Sequence, residues 1–148
     1  MYPNKEIYLG NVNIARRIGM GLYIYKDGSY YIGNWENDAM HGQGTFYNID
    51  GYKYAGQWFN GSEHGYGRAT LVNGNILEGI FQKGKIGTYA TLIYTSGALY
   101  RGEIEDFLPN GNGEMQNADQ TSYVGGWKDG KRHGEGTIID KEGNESTL

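Results

Sequence analysis

Apolar and polar residues alternate along most of the chain, and this alternation predicts short β-strands. In one stretch, Tyr54, Gly56 and Trp58 fall on one face of an extended segment, and Ala55 and Gln57 fall on the other. No period near 3.6 residues follows such a segment, as a helix would require. The pattern therefore predicts strands throughout the chain.

Each alternating segment is followed, after a break, by a second one of the same kind. Gly42, Gly44 and Phe46 share a face of the second segment, and residues 36–41 form a predicted turn before it. Asp-Gly and Asn-Gly pairs then mark a further reversal, as at Asp50 and Gly51. Two strands joined by a short turn make a β-hairpin.

The hairpin pattern recurs every 23 residues without a shift in register. The leading glycines are Gly10, Gly33, Gly56, Gly79, Gly102 and Gly125. The residues two positions before them are Tyr8, Tyr31, Tyr54, Leu77, Tyr100 and Tyr123. The residues two positions after them are Val12, Trp35, Trp58, Phe81, Ile104 and Trp127. We therefore expect one repeat array over residues 1–148, with units starting near residues 8, 31, 54, 77, 100 and 123.

These units predict an all-β fold, an elongated single-layer antiparallel sheet of about six 23-residue hairpins. A single hairpin is only marginally stable in water, so each unit needs its neighbours. A ring from a neighbouring strand can lie flat on a glycine because glycine has no side chain. The fourth unit departs from this pattern, with Thr88 and Ala90 in place of its second pair of glycines.

Composition and charge exclude several classes of function. The net charge is -4 and the pI is near 5.3, which gives no electrostatic footprint for nucleic acid. The chain has no cysteine, so disulfides and thiolate metal sites are excluded. No apolar run approaches the roughly 18 residues of a membrane span, and we expect a cytoplasmic protein.

Neither metal binding nor catalysis is predicted. His41, His64 and His133 each precede a glycine pair and are interpreted as structural residues of the hairpin turn. Equivalent positions in successive units lie about 10 Å apart, whereas zinc requires nitrogens within about 2.1 Å of one centre. No nucleophile or phosphate-binding motif occurs. We therefore expect no cofactor and no enzymatic activity.

The skeleton Tyr-x-Gly-x-Trp, turn, His-Gly-x-Gly and Asp-Gly resembles the MORN (membrane occupation and recognition nexus) repeat. The resemblance covers about residues 7–145 and is best in the units that begin at Tyr31, Tyr54 and Tyr123. The Leu77 unit matches least well. The resemblance implies a scaffold that contacts proteins through an aromatic groove, with a cytoskeletal or ciliary setting among those found in the family.

The aromatic face is the predicted partner-binding surface. A single-layer sheet leaves some of its ring surface uncovered, and exposed aromatic strips are typical of interfaces. A protein helix or an extended peptide would suit such a groove. The candidate binding residues are Tyr31, Trp35, Tyr54, Trp58, Phe81, Tyr100, Tyr123 and Trp127.

Two alternative functions and one mode of assembly stay open at this point. A basic edge would suit a peripheral membrane adaptor that binds phospholipid or another anion, although lipid recognition usually needs a denser cluster. Its residues are Arg16, Arg17, Lys85, Lys131 and Arg132. An accessory subunit of a kinase or methyltransferase complex is the second alternative. End-to-end homodimers, or docking to other subunits, would follow from unpaired terminal strands.

Overall fold

All strands of the computed structural model, which describes residues 5–148, belong to one antiparallel sheet. The strands follow one another in the sheet in chain order, so every connection is a simple reversal. No helix occurs among the described residues, and therefore none that could span a membrane. The all-β prediction is confirmed.

Each hairpin joins a strand of seven residues to one of nine. The seven-residue strands are β1 (Ile7–Asn13), β3 (Tyr30–Glu36), β5 (Lys53–Phe59), β7 (Ile76–Gln82), β9 (Leu99–Glu105) and β11 (Ser122–Lys128). The nine-residue strands are β2 (Arg16–Ile24), β4 (Ala39–Tyr47), β6 (Ser62–Thr70), β8 (Lys85–Ile93), β10 (Leu108–Gln116) and β12 (Lys131–Ile139). A short strand not expected from the repeat, β13 (Glu145–Thr147), pairs with the end of β12.

The turn within each hairpin is tighter than the predicted span of residues 36–41. Glu36 pairs with Ala39, which leaves a two-residue loop of Asn37 and Asp38 with φ values of 49° and 70°. Positive φ at both positions gives a turn whose twist matches that of the flanking strands. Between the Gly33–Gly44 and Trp35–Met40 pairs, residues 41–43 of β4 face the single Asn34, and this β-bulge accounts for the two extra residues of β4. The predicted six-residue turn is wrong for this reason.

Glycines face glycines across the centre of the sheet. Gly33 pairs with Gly44, and Gly44 pairs with Gly56. The Tyr31 ring lies over Gly44, where a Cβ atom would overlap the ring. The expectation that a neighbouring strand's ring covers each such glycine is therefore met here, and the ring comes from the same hairpin.

Tyrosine and tryptophan side chains donate hydrogen bonds to backbone carbonyls on this face. Tyr31 Oη donates to the carbonyl of Asn34 at 2.8 Å, and the same bond recurs in the hairpins of Tyr54 and Tyr100. Trp35 Nε1 donates to the carbonyl of Gly21, 14 residues earlier, at 3.2 Å. The tyrosine thus fills its own hairpin, and the tryptophan attaches that hairpin to the preceding one.

Two compact units divide the chain. Unit 1 comprises the residues up to Asn73 together with Ile80–Lys85, and unit 2 comprises Gly74–Gly79 with Ile86–Leu148. Unit 1 carries eight Lys and Arg and six Asp and Glu residues, a net charge of +2. Unit 2 carries five and eleven, a net charge of -6. The small negative charge of the chain therefore conceals two units of opposite sign.

Candidate functional site

The rings proposed to bind a partner form the core of the fold. Their exposed fractions do not exceed 7%, and those of Tyr31, Tyr54 and Tyr100 are 0%. The expectation that these rings keep accessible surface is therefore wrong, since each is covered by its neighbours. A direct contact between any of these eight side chains and a partner stays a prediction.

A ladder of perpendicular rings explains this burial in unit 1. Successive members meet edge to face, with centroids 4.9–5.4 Å apart and interplanar angles of 82–87°. In the order in which the rings contact one another, they are Tyr8, Trp35, Tyr31, Trp58, Tyr54 and Phe81. Edge-to-face pairs add stability beyond the area that they bury. Unit 2 has a shorter ladder, in which Trp127 packs on Tyr100 and Tyr123.

A second tier of side chains stands above the ladder in unit 1 and stays half-buried. Tyr25 lies 4.8 Å from Tyr23 and 5.9 Å from Phe46 between ring centroids, and its hydroxyl contacts Met40 Sδ at 3.8 Å. A cavity of about 270 Å³ opens between Tyr23, Tyr25, Met40 and the buried Trp35. We call Tyr23, Tyr25, Met40 and Phe46 the groove rim.

Arg17 and Asp38 form an ion pair at one end of this cavity. Arg17 Nε lies 2.5 Å from Asp38 Oδ1, and Arg17 Nη2 donates to the Asp38 carbonyl at 3.0 Å. The guanidinium carbon is 4.5 Å from the Trp35 ring centroid and 4.9 Å from that of Tyr23. The Arg17 guanidinium holds the pKa of the Asp38 carboxyl below its usual value. The Arg17 guanidinium is therefore already paired with a carboxylate and packed against aromatic rings.

Burial changes the acid–base behaviour of several groups on the aromatic face. Desolvation raises the pKa of Tyr52 to about 12 and that of Tyr31 further. It also raises the pKa of the half-buried Glu63 carboxyl. At neutral pH the phenols are uncharged, so they contribute hydrogen bonds and ring surface and no charge.

The predicted basic edge is distributed over three strands. Arg16 and Lys85 are exposed at the first residues of β2 and β8, and Lys131 and Arg132 are exposed at the start of β12. Arg132 lies over the Tyr123 ring, with 5.5 Å from its guanidinium carbon to the centroid. Phospholipid binding by these residues stays a prediction.

The histidines lie in strands beside the bulge, and the prediction that they sit in the turn is wrong. The Phe59 ring stands between His41 and His64, with centroids 5.1 and 5.6 Å away. His41 Nε2 is 3.2 Å from Glu36 Oε2. Among residues 5–148, no group of three or more His, Cys, Asp or Glu could hold a metal ion.

The opposite face of unit 1 carries a second concavity, of about 470 Å³. It lies over the backbone of Gly33, Gly44 and Gly56, and Met20 and Tyr66 are among its walls. Met20 and Tyr66 are 55% and 54% exposed. This surface therefore offers apolar contact area but no ladder of packed rings beneath it.

Sequence reasoning missed the groove rim and the ion pair. Tyr23 and Phe46 stand two residues after a glycine of the second strand, so the period of two places them on the aromatic face. Arg17 and Asp38 are 21 residues apart, and only the register of adjacent hairpins brings them together. The alternation of side chains along the strands could therefore have indicated the groove rim, but it contains no signal for the ion pair of Arg17 and Asp38.

Comparisons with known proteins address the fold and the family. The chain is similar to the TCP domain of SAS-4 (dCPAP) from Drosophila melanogaster, solved in complex with a proline-rich motif of Ana2 (dSTIL). The TM-score is 0.63 at 12% identity, over 99% of this chain and 79% of that chain. A match to the TCP10 domain of Danio rerio CPAP with a STIL peptide has a TM-score of 0.33 at 12% identity, over 97% and 73%. The likeness of fold rests on the first.

A search of curated protein sequences returned no significant match. The model of the MORN repeat family matches residues 31–51, 54–76 and 123–145. These are the three units in which the sequence skeleton is best formed, and each folds as the hairpin described above. The chain therefore contains MORN repeats in these three segments.

Proposed function

We propose that the protein is a non-catalytic scaffold that binds a segment of a protein partner on the aromatic face of unit 1. The observation that carries this proposal is the groove rim, whose half-buried Tyr23, Tyr25 and Met40 line an open cavity. Aromatic residues and Met are enriched in interfaces. The buried ladder beneath the rim would hold it rigid and lower the entropy cost of binding.

An extended segment is the favoured ligand. Proline-rich segments dock in grooves lined by aromatic side chains, because their conformation is already ordered. The similar TCP domain was solved with a proline-rich motif, and this likeness of fold supports the choice of ligand class. The MORN resemblance favours a cytoskeletal or ciliary setting. The membrane-adaptor alternative has less support, because Asp38 already neutralises Arg17.

Titration of the protein with a panel of synthetic proline-rich peptides tests the proposal. We expect Tyr25→Ala with Met40→Ala to weaken binding at least tenfold while circular dichroism shows an intact sheet. Half-buried side chains are the right targets, because changing the ladder would unfold the protein. The matched control is Met20→Ala with Tyr66→Ala on the opposite face, which we expect to bind normally. Loss of binding in the control pair alone would contradict the assignment to the aromatic face.

A further inference from the structure

The ion pair of Arg17 belongs to a position that recurs in every hairpin. The residues in this position are Arg17, Met40, Glu63, Ile86, Pro109 and Arg132. Beside four of them, Arg17, Met40, Glu63 and Pro109, the next hairpin places the second residue of its turn, and these residues are Asp38, Gly61, Gly84 and Gly130. Backbone bonds fix this approach, as from Asp38 N to Arg17 O at 3.1 Å and from Gly61 N to Met40 O at 2.9 Å.

Within this set, the arginine at the recurring position and the aspartate at the adjacent turn position occur together. Among these four hairpins, only that of Arg17 carries arginine at the recurring position, and only its following turn carries a carboxylate in this place. The next hairpin also contributes the Trp35 ring, which covers the guanidinium at 4.5 Å. Trp35 and Asp38 are three residues apart. An aromatic residue followed three positions later by a carboxylate therefore forms the complement of Arg17.

Arg132 has the first half of this arrangement without the second. It is exposed and lies 5.5 Å from the centroid of Tyr123, the equivalent of Tyr8 beneath Arg17. No carboxylate of residues 5–148 forms an ion pair with it. The strand β13 pairs with Thr137–Ile139, farther along β12 than Arg132. A cavity of about 610 Å³ opens there, lined by Tyr123, Trp127, Lys131 and Arg132 among others.

We propose that this surface at Arg132 docks a segment of a partner protein that presents an aromatic side chain and, three residues later, a carboxylate. Trp35 and Asp38 on Arg17 are the internal template for this contact. A guanidinium on an aromatic face with an accessible fork of donors suits a carboxylate ligand. The proposal concerns a different surface from the groove rim and stands without it.

Charge distinguishes a protein segment from a membrane as the occupant. Unit 2 carries a net charge of -6, so an anionic bilayer would be repelled as the unit approached. A segment with one carboxylate, guided by Lys131 and Arg132, experiences mainly the local positive charge. The ring three positions earlier adds an apolar contact that a lipid headgroup lacks.

The probe for this site is a cyclised peptide with the sequence of residues 30–47, which contains Trp35 and Asp38 in a preformed turn. We titrate it into the isotope-labelled 148-residue protein and follow the Nε–H resonance of Arg132 and the indole N–H of Trp127 by NMR. We expect saturable shifts at both groups. The same peptide with Asp38→Asn should bind about tenfold more weakly, the loss of one charge-assisted contact.

Two protein variants complete the test. Arg132→Gln should weaken binding of the peptide about tenfold, whereas the control Lys26→Gln, an equal loss of charge at an exposed site in unit 1, should leave it unchanged. The absence of saturable shifts would overturn the proposal, as would equal binding of the two peptides. Binding of phosphatidylserine vesicles through Arg132 in place of the peptide would also overturn it. The rim variant Tyr25→Ala with Met40→Ala should bind this peptide normally, so failure here is distinguishable from failure at the groove.

Discussion

At the scale of single residues, the fold depends on which side chains are absent. Gly44 is covered by the Tyr31 ring, and its carbonyl accepts the indole N–H of Trp58 at 3.0 Å. A glycine inside a strand costs stability by itself. The packed Tyr31 ring offsets that cost, together with the hydrogen bonds from Tyr31 Oη to the Asn34 carbonyl and from Trp58 Nε1 to the Gly44 carbonyl. The glycine and its tyrosine therefore act as one unit.

Gly44→Ala tests this dependence. The added methyl group overlaps the Tyr31 ring, which is 0% exposed and has no free space to enter. We expect a loss of about 3 kcal/mol in the free energy of unfolding, measured by urea denaturation. Gln43→Ala, one residue away on the exposed opposite face, is the control and should change it by less than about 0.5 kcal/mol. Equal stability of the two variants would refute the ring-over-glycine account.

At the scale of the hairpin element, the fourth unit shows how the repeat tolerates variation. Leu77 stands in place of the tyrosine and Ala90 in place of the covered glycine, and their exposed fractions are 0% and 2%. A smaller side chain on one strand thus accompanies a larger one on the other. We interpret the departure from the repeat as a compensated pair that keeps the thickness of this face constant.

A double-mutant cycle tests the compensation. Leu77→Tyr alone should overpack the site and Ala90→Gly alone should leave a void, each at a cost of about 1–3 kcal/mol in unfolding free energy. The double variant restores the tyrosine–glycine pair, so we expect a favourable coupling of about 1–2 kcal/mol. Leu77→Tyr combined with the distant Gln116→Ala should be additive. Additive costs in the first pair would contradict the interpretation.

The same scale separates what the sequence predicts from what it does not. Strict alternation around Gly56 predicts the strands and their aromatic face, because side-chain direction has a period of two. The period does not reveal the bulge opposite Asn34, which places two extra residues in β4 without changing the unit length. Nor does it reveal that Ile14, a β-branched residue, adopts a φ of 46° in its turn. Tertiary register imposes these features.

At the scale of the whole molecule, the sequence predicts which face carries the rings but not how deeply their side chains are buried. Because a single-layer sheet has no second layer to cover its aromatic face, the sequence leads us to expect accessible rings. The structure covers Trp35 and Trp58 with neighbouring rings, so the accessible surface moves to Tyr25 and Met40. Organisation as one array over residues 1–148 stays a prediction.

Alkaline unfolding tests the burial of the tyrosines. The pKa values of Tyr52 and Tyr100 are raised by burial to about 12, from 10.0 for an ordinary phenol. Above pH 10 the unfolded chain therefore releases these protons before the folded chain does, and stability falls as the pH rises toward 12. We expect the tyrosinate absorbance of Tyr52, taken as the difference between the protein and its Tyr52→Phe variant, to develop together with loss of the sheet signal. Tyr52→Phe should reduce the alkaline loss of stability, and ionisation of Tyr52 in an intact sheet would contradict the account.

The central claim is that the rim of the aromatic face, and not the opposite face, contacts the partner. Hydroxyl-radical footprinting of the protein with and without its bound partner tests this most directly, because unit 1 carries a methionine and a tyrosine on each face. The account predicts that binding protects Met40 and Tyr25 from oxidation while Met20 and Tyr66 react as before. Protection of Met20 and Tyr66 with unchanged oxidation of Met40 and Tyr25 would contradict it.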